Sequence, residues 1–157
     1  MTGFRRGVRL GIDVGRARIG VARCDPDGML AVPVETVPRS EQSIDRLAAV
    51  AEEYSPLEFV VGLPVNMQGV DTASTTDARE FAAALRARTG IPVRLVDERL
   101  STVTAHAALR SSGRTQKNSR SIVDQVAAVV LLQQAIDTEK STGNPPGATV
   151  PLDEESP

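Results

Sequence analysis

The sequence is poor in the residues on which several classes of enzyme depend. Its 157 residues include one cysteine, Cys24, one histidine, His106, and no tryptophan. A single cysteine excludes an internal disulfide and suits a reducing compartment, so we expect a buried or half-buried thiol. His106 stands among alanines, far from Cys24 in sequence, and we interpret it as structural or surface-exposed rather than as half of a nucleophilic pair.

Long apolar runs are also missing. No stretch approaches the roughly 20 apolar residues that cross a membrane, and the first residues, MTGFRRGVRLGIDVG, hold no apolar run of the signal-peptide kind. We therefore expect a cytoplasmic protein with no membrane partner. With 41% hydrophobic and 24% charged residues, the composition is that of a globular protein. We expect one domain over residues 1–140 and a disordered acidic tail over 141–157, which is rich in proline, glycine and charge.

Hydrophobic alternation and turn residues predict the element order βββαβαβαα. Three strand patterns, VRLGIDV, ARIGVARC and MLAVPVETV, follow one another across short turns. Helices, one of them N-capped by Ser40 and one running over 72–89 to a stop at Gly90, then alternate with two buried strands. Two further helices are predicted at about 101–109 and 121–138. This order predicts an α/β fold with a five-stranded mixed sheet, an antiparallel three-strand meander plus parallel strands, and helices on both faces.

Charge is segregated along the chain. The formal net charge of −2 argues against a nucleic-acid partner, but the first 23 residues hold six arginines against one acid, a local charge of +5. A second basic cluster without an acid follows later in the chain: Arg110, Arg114, Lys117 and Arg120. The distribution fits either phosphate-binding surfaces or ordinary solvated faces, and taken alone it does not choose between them.

Three acids occupy places where a carboxylate needs a partner. Asp13 ends the first strand between two glycines, Glu98 follows the fifth strand, and Asp124 lies in an apolar helix. Because sites gather beyond the carboxyl ends of parallel strands, we expect the three to converge. Their mutual repulsion is relieved by hard divalent cations, and two ions about 4 Å apart can hold the attacking water and the leaving oxygen of a phosphoryl displacement.

Each acid also has a structural alternative. Asp13 could be a turn residue, Glu98 could pair with Arg94 or Arg99 or favour a helix N-terminus, and the pattern Ser121-x-x-Asp124 fits a capping box. Asp97 is the nearest rival to Glu98. Strand alternation points Asp97 and Glu98 in opposite directions, and we choose Glu98 for the site.

Four motifs in order, GIDVGRARIGVA, GLPVNMQG, VDERLSTVTA and SIVDQVAAVVLLQ, closely resemble the YqgF family, also called RuvX-like, of the ribonuclease H-like superfamily. The resemblance covers about residues 8–137. It implies a nuclease dependent on Mg²⁺ or Mn²⁺, with two ions expected and with Asp13, Glu98 and Asp124 as catalytic residues and metal ligands. It further implies trimming of the 5′ end of precursor 16S ribosomal RNA, with resolution of four-way DNA (Holliday) junctions as an alternative. A fourth acid found elsewhere in the superfamily has no certain counterpart here.

Seven further residues are candidates for nucleic-acid contact: Arg16, Arg18, Asn66, Arg99, Arg114, Lys117 and Arg120. Because the chain has only four aromatic residues, we expect it to recognise the shape of structured RNA or branched DNA rather than to stack unpaired bases. The chain is expected to be a monomer or a homodimer. A non-catalytic nucleic-acid-binding module remains an alternative, whereas an actin-like or sugar-kinase ATPase would need a second phosphate-binding hairpin, for which the length leaves no room.

Overall fold

The computed structural model describes residues 4–65, 68–97 and 116–150, with the backbone only over 116–124. Its elements, in chain order, are β1 (Arg9–Val14), β2 (Arg18–Cys24), β3 (Ala31–Pro38), α1 (Ser43–Tyr54), β4 (Glu58–Leu63), α2 (Ala73–Thr89), β5 (Val93–Asp97), α3 (Gln116–Thr142) and β6 (Ala148–Thr149). The predicted meander and the alternation of strands with helices are confirmed. The helix predicted at about 101–109 and His106 lie outside the described residues.

The sheet has the order β3-β2-β1-β4-β5-β6. β1, β4 and β5 are parallel, whereas β2, β3 and β6 run antiparallel to their neighbours, which is the predicted mixed sheet. The prediction of five strands is wrong in number. The sixth strand arises within the segment assigned to the tail, where Thr149 pairs with Arg94 through backbone hydrogen bonds that leave no mark in a side-chain pattern.

Each face of the sheet has its own apolar core. Even-numbered residues of β1, such as Leu10 and Ile12, pack with Leu47 of α1 and Leu85 of α2. The opposite face is covered by α3 through Ala128, Leu131, Leu132, Ala135 and Ile136. Because side chains alternate along a strand, odd-numbered residues of β1 face α3. Cys24 belongs to this second core, and its thiol is fully buried, as expected.

The bounds of two helices test the capping signals. Gly90 ends α2 at a φ of 72°, as the sequence predicts, and Thr72 forms a capping box with Thr75 at its start. Helix α3 starts at Gln116, five residues before Ser121, so the capping-box interpretation of Ser121 and Asp124 is wrong. The backbone of Asp124 therefore lies inside the helix rather than at its N-terminal cap.

Gly11 allows α3 to lie close to β1. A Cβ atom at this position would stand 2.9 Å from both the Ala128 carbonyl oxygen and the Leu132 Cβ. We expect Gly11→Ala to push the helix outward and to lower the free energy of unfolding by about 1–3 kcal/mol. Urea denaturation of this variant beside Gly90→Ala, whose Cβ would meet no atom within 4 Å but whose positive φ carries its own cost, separates crowding from backbone strain. Equal stability of G11A and wild type would contradict the close packing.

Candidate functional site

The carboxyl ends of the parallel strands share one edge of the sheet. Val14, Leu63 and Asp97 end β1, β4 and β5 at this edge, and β3, which runs in the same direction, ends there at Pro38. Helix α2 also begins here, since the Thr75 hydroxyl donates a hydrogen bond to the carbonyl oxygen of Pro64. The loops that the sequence singles out thus start from a common edge.

Asp13 is half-buried on the α3 face of this edge. Its partner on β2 is Gly20, which in turn pairs with Thr36 on β3. On the other side, Ile12 pairs with Val61, so Gly62 is the corresponding β4 neighbour of Asp13. The neighbour of Asp13 on each flanking strand is therefore a glycine. Carboxylate oxygens at such a position are of the kind that hard divalent cations prefer.

Strand alternation settles the orientation of Asp97. Leu95 packs with the core of α1 and α2, whereas Val96 packs with the core of α3. Asp97 follows Leu95 by two residues and lies on the α1 and α2 side, opposite to Asp13. It is exposed. The choice against Asp97 as the partner of Asp13 thus agrees with the described sheet, while Glu98 itself lies outside the described residues.

Two contacts fix the direction in which α3 crosses β1. At one end of the strand, Arg9 donates a hydrogen bond of 3.1 Å to Glu139. Two residues further, Gly11 meets Ala128 and Leu132. The helix therefore runs antiparallel to β1, and four helical residues advance by about 6 Å, close to the rise of two strand residues. By this register the backbone of position 124, one turn before Ala128, lies at the level of Asp13.

The described part of the chain includes few of the other predicted site residues. Arg16 is exposed in the turn after β1, and Arg18 is half-buried at the start of β2. The structure describes only the backbone of three candidates in α3: Asp124, Lys117 and Arg120. Asn66, Glu98, Arg99 and Arg114 lie outside the described residues. Among the side chains that the structure describes, which do not include those of Glu98 and Asp124, no group of three potential ligands could hold a metal ion.

The turn that follows Asp13 is held by a residue that the sequence did not single out. The Gly15 amide donates to the Arg18 carbonyl oxygen, which closes the turn. Arg39 donates to the Gly15 carbonyl oxygen and forms two hydrogen bonds, of 2.9 and 2.8 Å, with Asp77 of α2. The hydrogen bonds from Arg39 lower the pKa of the Asp77 carboxyl. Arg16 lies beside this pair in an open cleft of about 570 Å³ between the turn and the start of α2.

A buried ionic cluster lies at the opposite edge of the sheet. Arg9 and Glu139 are each 2% exposed and form an ion pair, while Arg5 joins Glu139 to Glu58. Arg94 also pairs with Glu58. Burial disfavours the charged carboxylate of Glu139, but hydrogen bonds from Arg5 outweigh this effect and lower its pKa from 4.5 to about 2. Two of the six N-terminal arginines therefore hold the fold together.

Comparison with solved structures identifies the class of fold to which this chain belongs. The fold matches that of T. thermophilus RuvC in complex with a Holliday junction substrate, with a TM-score of 0.58 at 18% identity over 91% of this chain and 99% of RuvC. The chain therefore has a ribonuclease H-like fold of the RuvC type. Among the described residues, no helix is both long enough and apolar enough to cross a membrane.

Sequence similarity names the family more closely. Residues 7–138 match the family model RuvX, described as Holliday junction resolvase. A relative from Clavibacter michiganensis subsp. michiganensis named "Putative pre-16S rRNA nuclease" is 56% identical over 151 residues, covering 94% of each chain. A relative of the same name from Streptomyces coelicolor is 51% identical over 150 residues, covering 94% of this chain and 90% of its own. The chain belongs to the RuvX family.

Proposed function

We propose that this chain is a divalent-metal-dependent nuclease whose reaction depends on Asp13, Glu98 and Asp124. The observation that carries the proposal is the place of Asp13: a half-buried carboxylate at the carboxyl edge of the sheet, with a glycine on each flanking strand, on the face that α3 covers. The register of α3 brings the backbone of Asp124 to the same level. In the sequence, Glu98 directly follows Asp97, the last residue of β5.

The three acids fit a pair of Mg²⁺ or Mn²⁺ ions. Carboxylate oxygens are the ligands that these ions prefer, and the strand neighbours of Asp13, Gly20 and Gly62, have no side chain. The ions would activate a water for in-line attack on the phosphorus atom and stabilise the charge on the departing 3′ oxygen. The carboxylates of this chain fix the positions of the ligand atoms. No protein side chain then has to act as the nucleophile.

We infer that the substrate is the 5′ leader of precursor 16S ribosomal RNA, so that the protein serves ribosome biogenesis. Relatives at 51–56% identity carry the corresponding name and span the same length as this chain. The alternative substrate is a four-way DNA junction, which the family description and the substrate bound to RuvC favour. A junction resolvase needs two sites to cut paired strands, so a homodimer would support the DNA alternative and a monomer the RNA proposal.

The proposal is tested by offering both substrates to one preparation. A labelled precursor RNA leader and a labelled four-way DNA junction are incubated with the wild-type protein in Mg²⁺, Mn²⁺ or EDTA. We expect cleavage of the RNA leader with either ion and none in EDTA. Faster cleavage of the junction would replace RNA by DNA as the substrate. Tight binding without cleavage in any condition would support the non-catalytic binding module.

Arg16 is the exposed candidate for phosphate contact beside the site. If it neutralises one phosphate, Arg16→Ala should flatten the dependence of log Kd on log salt concentration by about one unit. The matched control is Arg88→Ala, since Arg88 is also exposed but pairs with Asp45 near the C-terminal end of α2. Fluorescence anisotropy at several salt concentrations measures both slopes. An unchanged slope for R16A would remove Arg16 from the binding surface.

The remaining candidates for substrate contact stay proposals: Arg18, Asn66, Arg99, Arg114, Lys117 and Arg120. The same salt titration tests Arg114→Ala and Lys117→Ala, which we expect to behave as R16A does. Slopes equal to that of the wild type would show that the basic loop does not hold phosphates.

A further inference from the structure

Helix α3 makes two hydrogen bonds to β3 that are chemically alike but differ in their distance from the site. The Gln125 side-chain amide donates to the Thr36 hydroxyl oxygen at 2.8 Å. Eight residues later, the Gln133 side-chain oxygen accepts a hydrogen bond of 2.9 Å from the Ala31 backbone amide. Both glutamines are half-buried. Only the first of these bonds lies in the same row of the sheet as Asp13.

That row consists of Thr36, Gly20 and Asp13 on three neighbouring strands. Adjacent strands lie about 4.8 Å apart, so the Thr36 and Asp13 backbones are separated by about 10 Å. Gly20 between them has no side chain, and α3 covers this space from above. Gln125, which directly follows Asp124 in the chain, donates its hydrogen bond to Thr36 in this row. The hydrogen bond thus lies at the border of the proposed metal site.

The rotation of a helix about its axis decides which strand each of its residues approaches. Successive residues are about 100° apart around the axis, so a helix held at two positions has its rotation fixed. Ala128 lies against Gly11 of β1, and Gln125 is bonded to Thr36 of β3. Position 124 is one turn from Ala128 and so falls toward β1, the strand of Asp13. Without the Gln125 bond, the described contacts that set this rotation near position 124 would be apolar ones, beginning with Ala128.

We propose that Gln125 and Thr36 are positioning residues for the proposed metal site, because their bond fixes the rotation of α3 and with it the place of the residue 124 backbone relative to Asp13. This inference rests on the proposed function. Groups that orient metal ligands typically contribute about 10- to 100-fold to metal affinity, although they do not touch the metal. A displacement of about 1 Å in a reacting group can lower a rate by about 100-fold. If the hydrogen bond only attached α3 to the sheet, its loss would change metal affinity and reaction rate no more than the loss of another such bond.

Four variants separate positioning from simple attachment. Gln125→Ala and Thr36→Val each remove the bond, and Thr36→Ser keeps the hydroxyl. Gln133→Ala removes the equivalent bond two turns away and serves as the matched control. Binding of Mn²⁺ to the full chain is measured by titration calorimetry without substrate, and cleavage of the precursor RNA leader is measured in parallel.

We expect Q125A and T36V to weaken Mn²⁺ binding by about 10-fold or more and to lower kcat by about 10- to 100-fold. T36S and Q133A should remain within about 2-fold of the wild type. The double variant Q125A/T36V should be no worse than T36V alone, because T36V already breaks the bond that Q125A removes. This pattern would establish the pair as positioning residues.

Three results would overturn the inference. Q125A with wild-type Mn²⁺ affinity and turnover would show that the bond does not position Asp124, while the proposed function would stand. Equal losses in Q125A and Q133A would show a general loosening of α3. A wild-type protein that binds no Mn²⁺ would instead overturn the proposed metal site, and this inference with it.

Discussion

Asp13→Asn should lower the rate of RNA cleavage by at least about 10³-fold. The amide has the same shape as the carboxylate but lacks the negative charge that holds a divalent ion. The change therefore removes metal binding while the packing of the side chain is kept. Asp13 is half-buried at the end of β1, and its neighbour on β2 is Gly20. Without metal, D13N should be as stable as the wild type or more so, because repulsion between the acids is relieved.

Asp27→Asn is the matched control for D13N. It makes the same change of charge in a side chain that is 61% exposed and pairs with Arg6 in the turn between β2 and β3, at the opposite edge of the sheet. Initial rates at saturating RNA, with thermal melting to confirm folding, compare the two variants. Turnover by D13N within about tenfold of the wild type, or an equal loss in D27N, would remove Asp13 from the catalytic site.

Glu139→Gln should lower the free energy of unfolding by about 3–5 kcal/mol. The change leaves the guanidinium of Arg9, which is 2% exposed, without its anionic partner, and it removes the charge to which Arg5 also bonds. Urea denaturation at neutral pH measures the effect. Glu35→Gln is the control, since the pair of Glu35 with Arg46 is exposed and should contribute less than about 1 kcal/mol. Equal effects of the two variants would show that burial does not strengthen the cluster.

The same cluster predicts how stability depends on acid. Because the pKa of Glu139 falls from 4.5 to about 2 on folding, its stabilising contribution is complete above about pH 4.5 and is lost as the pH falls toward 2. The wild type should therefore lose about 3 kcal/mol more than E139Q across this range. Unfolding free energies from pH 7 down to pH 2 measure the difference. Parallel pH profiles of wild type and E139Q would contradict the proposed ion pairing.

The sequence predicts the parts of the fold that depend on local pattern. Strands β1 to β5 follow from apolar alternation and turn residues, and the limits of α2 follow from Thr72 and Gly90. The start of α1 depends on a contact outside the local sequence pattern. Ser40 accepts a hydrogen bond from the Gln42 amide in a turn before the helix, and α1 itself begins at Ser43. The hydroxyl of Ser43 donates to the carbonyl oxygen of Pro38, which fixes this start through the end of a strand.

Features that depend on contacts between distant residues escape prediction from one sequence. The strand Ala148–Thr149 pairs with β5 through its backbone, and its side-chain pattern does not predict this pairing. The buried pair of Arg9 and Glu139 joins residues 130 positions apart. From the sequence alone, Arg9 therefore counts among the six N-terminal arginines that are candidates for a phosphate-binding surface. The hydrogen bond from Gln125 to Thr36 spans 89 positions and is likewise invisible in periodicity.

For the site, the sequence identifies candidate acids and the described structure supports part of their arrangement. Asp13 lies at the predicted edge, Asp97 lies on the other face, and α3 carries Asp124 inside a helix rather than at its cap. The convergence of the three carboxylates stays a prediction, because the side chains of Glu98 and Asp124 are outside the described residues. The number of ions stays a prediction for the same reason.

The central claim is that Asp13, Glu98 and Asp124 bind divalent metal together. It is tested most directly by anomalous diffraction from crystals of the wild-type protein soaked in Mn²⁺. We predict an anomalous peak about 2.0–2.2 Å from a carboxylate oxygen of Asp13, shared with Glu98 or Asp124, and its loss in D13N. Crystals that show no peak at Asp13 under Mn²⁺ concentrations that support cleavage in solution would contradict the account.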